Sequence, residues 1–529
     1  MINDTSKQAS QDAIEWALSH GMALKTTPYS AVHTAFSLTP TPISTARYQK
    51  LTSSVGLLGK LVHFASEDAE FLNQAIAPIT KGDPFFNALL EMHQAIHQPN
   101  QQLTHQPNQQ ESQSAKRLPL LIMRSDFMDD ASLGPKLIEF NGIAAGMGPF
   151  GQRVHELHKF LQLQAPEAFS EWSTPTTGKL VANHALENLA QGIANATHRI
   201  NAEFAAIEQS SIDNTTNAPT FLMVVQAGED NVYDQHLLEH ALQSKGIRTI
   251  RRTFRELHGK LKTGDNHRLL LDGVGAIDTV YLRAGYQYCD YHANDIISRV
   301  CCDALMQTRI FIEKHRVAVN ATVSQQLATS KRVQMLLSSM EPCTLTRFGL
   351  NIDEAIAVKE LLGEMIAVTK DSAAIVANGS NNDWVLKNQG EGGGHCIFGD
   401  DILPKLAALQ PHEYQAWSLM RRLHPSARAT TALTVRKGEL QKVDDLISEI
   451  GMFTVHIDGK PAIDVKKLEV ETLAVEKFDV KPLEVHGVNE QITDKIAYAG
   501  YLIRSKSARS TEGGVHSGMG VLDSLVFID

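Results

Sequence analysis

Apolar residues recur at helical spacing through much of the first hundred positions. Ile14, Ala17, Leu18 and Met22 fall on one face of a helix predicted over about 12–24, with Gly21 blurring its end. Leu51, Val55, Leu58, Leu61 and Val62 form a second stripe in a largely helical stretch from about 46 to 79. Pro84 interrupts the pattern and 85–96 resumes it. This part reads as a helical support layer with little chemistry. Beyond it, 118–123 is an unbroken apolar run of strand length, and KLIEFN at 136–141 alternates. Simple alternation puts Leu137, Glu139 and Asn141 on one face and Ile138 and Phe140 on the other. Gly142, Gly146 and Gly148 then make a permissive turn before a helix over about 151–163.

From 219 the pattern changes to short apolar runs separated by helices. FLMVVQ at 221–226 reads as a buried strand, Asp234 opens a helix to about Ser244, and further strands are predicted at 247–253 and 279–283. A long helix over about 294–314 follows. This rhythm predicts a parallel sheet, with ligands at the carboxyl ends of its strands, where Gln226 and Arg283 fall. The stretch 324–337 reads as one helix presenting Lys331 and Arg332 on an exposed basic face, and 353–365 as another helix. Residues 417–423 alternate like a strand closed by Pro425, and SEIGMFTV places Glu449 on or just before a strand. YLIRSK at 501–506 puts Arg504 and Lys506 on one strand face.

Composition narrows the class. The 529 residues are 43% hydrophobic and 20% charged, as in an ordinary globular chain of several domains. A net charge of −10 without a long basic run argues against nucleic acid or an anionic membrane as a partner. The polar N-terminus lacks an apolar signal core, and no apolar run reaches the roughly 18 residues of a spanning helix. Cys289, Cys301, Cys302, Cys343 and Cys396 are odd in number and contain no C-x-x-C pair, which fits a reducing cytoplasm rather than a disulfide framework or zinc site. HQPNQQ-LT-HQPNQQ, beginning at His97, reads as a polar surface loop expanded by duplication, with no preorganised use for its histidines.

The candidate chemistry centres on WVLKNQGEGGGHCIFG, 384–399. Gly390, Gly392, Gly393 and Gly394 allow a backbone cradle for an anion, Lys387 adds a cation, and Glu391 offers oxygen to a hard metal. A glycine-rich surface turn accounts for the same residues. Glu139 and Asn141 offer two oxygens to one cation, or simply make a polar edge strand. Arg504 and Lys506 precede a second glycine-rich run at 513–520. The lysine precedes the glycines and no GK[ST] follows, so this is not a Walker A loop; kinase H-R-D and D-F-G elements are also missing. A nucleotide clamped between two β-rich segments, with magnesium joining phosphates to carboxylates, remains.

Eight motifs then converge. They are RSDF at 124–127, IEFN at 138–141, EDNVYDQ at 229–235, LRAGY at 282–286, QLATSKRVQ at 326–334, VLKNQGEGGG at 385–394, ISEIGMF at 447–453, and LIRSK with EGGV at 502–515. From about 13 to 526, the repeat aside, the chain resembles the eukaryotic-type glutathione synthetases of the ATP-grasp superfamily. The resemblance implies an α/β (α+β) ATP-grasp fold with an inserted parallel-sheet substrate-binding domain, a glycine-rich lid and an N-terminal helical layer. Its divisions would be a helical layer over 1–117, a first core part over 118–218, the substrate-binding domain over 219–329, and core plus lid over 330–529. It implies ATP-dependent joining of γ-glutamylcysteine to glycine through an acyl phosphate, Mg2+ as cofactor, and a homodimer.

Carried over residue by residue, the resemblance makes Glu139, Asn141 and Glu391 the metal ligands. It places ATP against Glu139, Lys331, Lys387, Gly392, Gly393, Gly394, Phe398, Met420, Arg421, Arg422, Leu423, Glu449, Lys506 and Glu512. It places the dipeptide or product against Arg124, Ile143, Ala144, Ala145, Gly146, Asn231, Gln235, Arg283, Tyr286 and Arg504, and glycine near Val515 and His516. Arg504 is the implied stabiliser of transition-state charge. Ile143 to Gly146 lack two hydroxyls usual in the family, Phe398 replaces a common tyrosine, and His516 stands where a small alanine is usual. These departures keep open a related carboxylate–amine ligase with a different acceptor amine. A nucleotide-binding protein without catalysis is the other alternative.

Overall fold

The computed structural model describes residues 4–97, 117–173, 178–208, 218–296, 302–379, 381–390, 396–465, 495–510, 514–515 and 519–528. The HQPNQQ repeat after His97 lies outside them.

The long strand Leu118–Asp130 organises the fold, and its first ten residues are all buried. A strand covered on both faces must be apolar at every position, which explains the unbroken LPLLIM run. Its side chains alternate between two cores: Leu118, Leu120 and Ile122 enter one, Leu121 and Met123 the other. On one edge it pairs in parallel with Ala318–Asn320, and Thr279–Leu282, Thr220–Val224 and Arg248–Arg252 follow, all parallel. On the other edge it pairs antiparallel with Leu446–Ile457, which pairs antiparallel with Tyr498–Ser507. Val521–Asp523, Phe36–Ser37, Ala432–Arg436 and Glu439–Val443 complete that side. One mixed sheet therefore runs through the molecule.

Helices cover both faces. Thr45–Glu67, Pro84–His97 and Asp303–Glu313 contribute to one core, and Gly148–Gln164, Ala185–Glu208 and Val232–Gln243 to the other. A separate four-stranded antiparallel sheet is ordered Met365–Ala367, Ser418–Arg421, Trp384–Lys387, Cys396–Phe398. It has its own small core, in which Trp384, Leu386 and Leu419 meet Val376, Ile402 and Leu406. No helix among the described residues is long and apolar enough to cross a membrane.

Several local expectations change. The N-terminal layer is not only helical: Ala23–Thr27 and Ser30–His33 form a hairpin, and Thr41–Ile43 pairs with Leu525–Phe527. The first helix is Asp4–Ser19, ending before Gly21, whose φ of +78° suits a helix exit. The stripe over 46–79 breaks at Asp68, whose carboxylate caps the next helix by accepting from the Phe71 amide at 2.9 Å. The helix expected over 324–337 is two, Val323–Ala328 and Lys331–Ser339, because Ser330 caps the second. Lys331 and Arg332 are then buried rather than displayed on a solvated face.

Buried imidazoles make the fold sensitive to acid. Burial, reinforced by Arg117, lowers His93 to about 4. Burial with neighbouring basic groups lowers His155 and His456 to about 3. Their folded values lie below the unfolded one, so the unfolded chain takes up protons first. Their contribution to stability is full above about pH 6.5 and is lost as pH falls toward 3–4, on the order of 1 kcal/mol per histidine per pH unit. Histidine proton NMR through a pH titration is expected to show three rings still neutral at pH 5. Midpoints near 6.5 for all rings would contradict this burial.

Candidate active site

The site begins with a misalignment of two strands. Gly134–Asn141 pairs with Leu118–Asp130 as Arg124↔Asn141, Ser125↔Phe140 and Asp126↔Glu139, then shifts to Phe127↔Leu137. Ile138 is the extra residue of a β-bulge, which re-aims the side chains on either side of it. Leu137 and Phe140 both enter the core, whereas Ile138, Glu139 and Asn141 all line a cavity. Simple alternation had grouped Leu137 with Glu139 and Asn141; the bulge separates them.

Neighbouring strands add charge to the same place. Carboxylate oxygens of Asp126, Glu139 and Glu449 lie within 4.8 Å of one another. Three such groups repel unless cations intervene. Arg124 grips Asp126 with two N–H groups, at 2.6 and 2.8 Å. Arg504 donates to Asp126 at 2.8 Å and also to Glu449. Desolvation pushes the Glu139 carboxyl up, but Lys331, Lys387, Arg504 and Arg124 outweigh it and hold the group at about 2. Glu449 goes the other way: burial raises it, with Asp126 and Glu139 adding repulsion that Arg504 only partly offsets. Burial would lower Arg504, yet Glu449, Asp126 and Glu139 raise it, so it stays charged.

Two lysines reach in from other elements. Lys331, at the start of its helix, donates to the Gly390 carbonyl at 2.8 Å and lies 3.9 Å from Glu139. Lys387, from the four-stranded sheet, donates to the Ile138 carbonyl at 2.9 Å. Burial lowers Lys506 on the same wall. The nucleotide candidates Phe398, Met420, Arg421, Arg422 and Leu423 also line the cavity, whose volume is about 440 Å3.

Ile143, Ala144, Gly146, Asn231, Arg283 and Tyr286 form another part of the wall. Arg283 is buried between Asp234 at 3.2 Å and Glu229 at 3.8 Å. Its guanidinium fixes the residue opposite: a Cβ on Gly146 would lie 2.5 Å from Arg283 Nη2. Arg124 also donates to the Gly146 carbonyl at 3.1 Å, tying this loop to the charged centre.

Two expected residues do not reach the cavity. Ala145 packs into the core, and Gln235 is buried, its amide oxygen accepting from Arg251. The strand-end Gln226 donates to Asp290 at 2.7 Å. Val515 lines the cavity. Glu391, Gly392, Gly393, Gly394, Glu512 and His516 lie outside the described residues. The structure adds Asp126 and Glu229. Asp126 is two residues past Arg124, and strand periodicity alone places both on one face.

A model of the "Eukaryotic glutathione synthase, ATP binding domain" family matches residues 3–527. The chain belongs to this family. It is 28% identical to the chloroplastic glutathione synthetase of Solanum lycopersicum, over 94% of this chain and 78% of that protein. It is 26% identical to the Homo sapiens glutathione synthetase, over 98% of this chain and 96% of that protein. Among solved structures, the apo form of a glutathione synthetase-like effector from Globodera pallida superimposes with a TM-score of 0.65 at 18% identity, covering 98% and 96% of the two chains. That likeness establishes a shared fold.

In this family member, Lys387→Met removes one cation from beside Glu139. Calorimetry is expected to show ATP affinity weakened by roughly tenfold or more. An unchanged Kd would take Lys387 off the nucleotide site.

Proposed function

We propose that the chain joins γ-glutamylcysteine to glycine at the expense of ATP, giving glutathione, ADP and phosphate. The observation that carries this reading is the close grouping of Asp126, Glu139 and Glu449 with Arg124, Arg504, Lys331 and Lys387 at a cavity whose wall also holds the paired Arg283 and Glu229. Phosphoryl transfer to a carboxylate brings two anions together, and fixed cations lower that barrier. Arg283 suits a substrate carboxylate and Glu229 an ammonium, the two charges of a γ-glutamyl group. In this reading 219–329 forms the substrate-binding part and 330–529 the nucleotide core and lid. A homodimer in the cytoplasm is the assembly and setting we propose.

The donors fit magnesium. Glu139 is held ionised, and Asn141 gives its Nδ2 to Asp126 at 2.9 Å, so its oxygen is the atom offered to a cation. Asp126 and Glu449, though close, are engaged by Arg504. When bound by Glu139 and Asn141, with Glu391 as the third ligand implied by the resemblance, magnesium would neutralise phosphate charge. A cysteinyl carboxylate oxygen attacks the γ-phosphorus and the bond to the ADP oxygen breaks. The glycine nitrogen then attacks the acyl carbon, the carbon–oxygen bond breaks, phosphate leaves, and the amine gives up a proton. Arg504 and the two lysines face the developing charge throughout.

Val515 on the cavity wall, a position the resemblance gives to the incoming amine, also suits a ligase with a different acceptor amine. Both readings meet one assay: ADP release with γ-glutamylcysteine and, separately, glycine, alanine or serine, with products weighed by mass spectrometry. Glutathione is expected in equimolar amount with ADP, and Arg504→Ala is expected to lower kcat by on the order of 100-fold or more. Turnover preferring another amine would select the second reading, and no turnover with any amine would overturn both.

A further inference from the structure

The Asp126 carboxylate makes no use of solvent, since its side chain is completely buried. Among the described residues, all its hydrogen-bond partners are groups on the cavity wall. Oδ1 accepts from Arg124 Nε at 2.6 Å. Oδ2 accepts from Arg124 Nη2 at 2.8 Å, Arg504 Nη2 at 2.8 Å and Asn141 Nδ2 at 2.9 Å. Each partner comes from a different position on three strands, so one carboxylate sets their relative placement. A second observation concerns the next strand. Gly451 is paired opposite Asp126, and a Cβ there would lie 2.8 Å from Arg124 Cδ and 2.9 Å from Asp126 Oδ1. No left-handed backbone requires this glycine. Its small size leaves room for the Arg124–Asp126 pair.

We infer that Asp126, seated over Gly451, is the positioning residue of the site: it touches no substrate and fixes Arg124, Arg504 and Asn141 for the reaction. The inference rests on the ligase reading above. Removing the negative charge leaves two guanidinium groups competing for fewer acceptors, which frees them to swing away from the working geometry. Adding a methyl at 451 displaces the same pair while every charge is kept.

Double-mutant cycles test this, using glutathione formation by the full chain. Asp126→Asn is expected to lower kcat by roughly 100-fold while the KM for ATP stays within about threefold. Combined with Arg504→Ala or Arg124→Ala, it should cost at least about tenfold less than in the wild-type background, as expected when one residue acts through another. Gly451→Ala should lower kcat about tenfold in the wild type and by less than about twofold in Arg504→Ala. It remains informative if Asp126→Asn fails to fold. Losses that multiply independently in both backgrounds, or a loss confined to the melting temperature, would overturn the positioning role. A wild-type protein without turnover would instead overturn the ligase reading.

Discussion

Asp126, Arg124, Arg504 and Glu449 form a continuous chain of ion pairs where the central sheet meets the cavity. Asp126 is wholly buried, and Arg124 and Glu449 are 7% and 8% exposed. Buried charge is tolerated only when each group is answered by an opposite charge or hydrogen bond; losing one partner costs about 3–5 kcal/mol. The surrounding strands are shaped by that requirement. The bulge at Ile138 brings Glu139 and Asn141 to the pairs, and Gly451 makes space for two of them. The pairs tie Leu118–Asp130, Leu446–Ile457 and Tyr498–Ser507 together beside the site.

Two kinds of charge pairing share one cavity. Near the bulge, acidic groups are surrounded by arginines and lysines, which suits polyphosphate carried with a divalent cation. Near Arg283 the charges are balanced locally by Asp234 and Glu229, which suits a zwitterionic amino-acid group. Arg124 touches both the acidic cluster, through Asp126, and the Ile143–Gly146 loop, through the Gly146 carbonyl.

Much of this could be read from local pattern. Buried runs such as 118–123 and 221–226 marked central strands, since only a strand covered on both sides is apolar throughout. Phe36–Ser37 is too short for any periodicity, and only its sheet partners make it a strand. The bulge depends on the pairing register, a long-range property, so KLIEFN gave the strand correctly and its faces incorrectly. Lys331 and Arg332 lie on a helix as expected, but that helix opens into the cavity. The resemblance brought Ala145 and Gln235 along with neighbours that do face the cavity. Asp126 was visible in RSDF yet carried no recognisable role, because two of the side chains it holds, Asn141 and Arg504, come from other strands.

In the proposed reaction these charges bring a substrate carboxylate into contact with the γ-phosphate. Isotope transfer follows that step directly. γ-Glutamylcysteine labelled with 18O in its cysteinyl carboxylate is turned over with ATP and glycine, and the phosphate released is analysed by mass spectrometry. One 18O atom is expected in each phosphate formed from fully labelled dipeptide, because the carboxylate oxygen that attacks phosphorus leaves with it. Phosphate free of label alongside labelled peptide product would contradict the account.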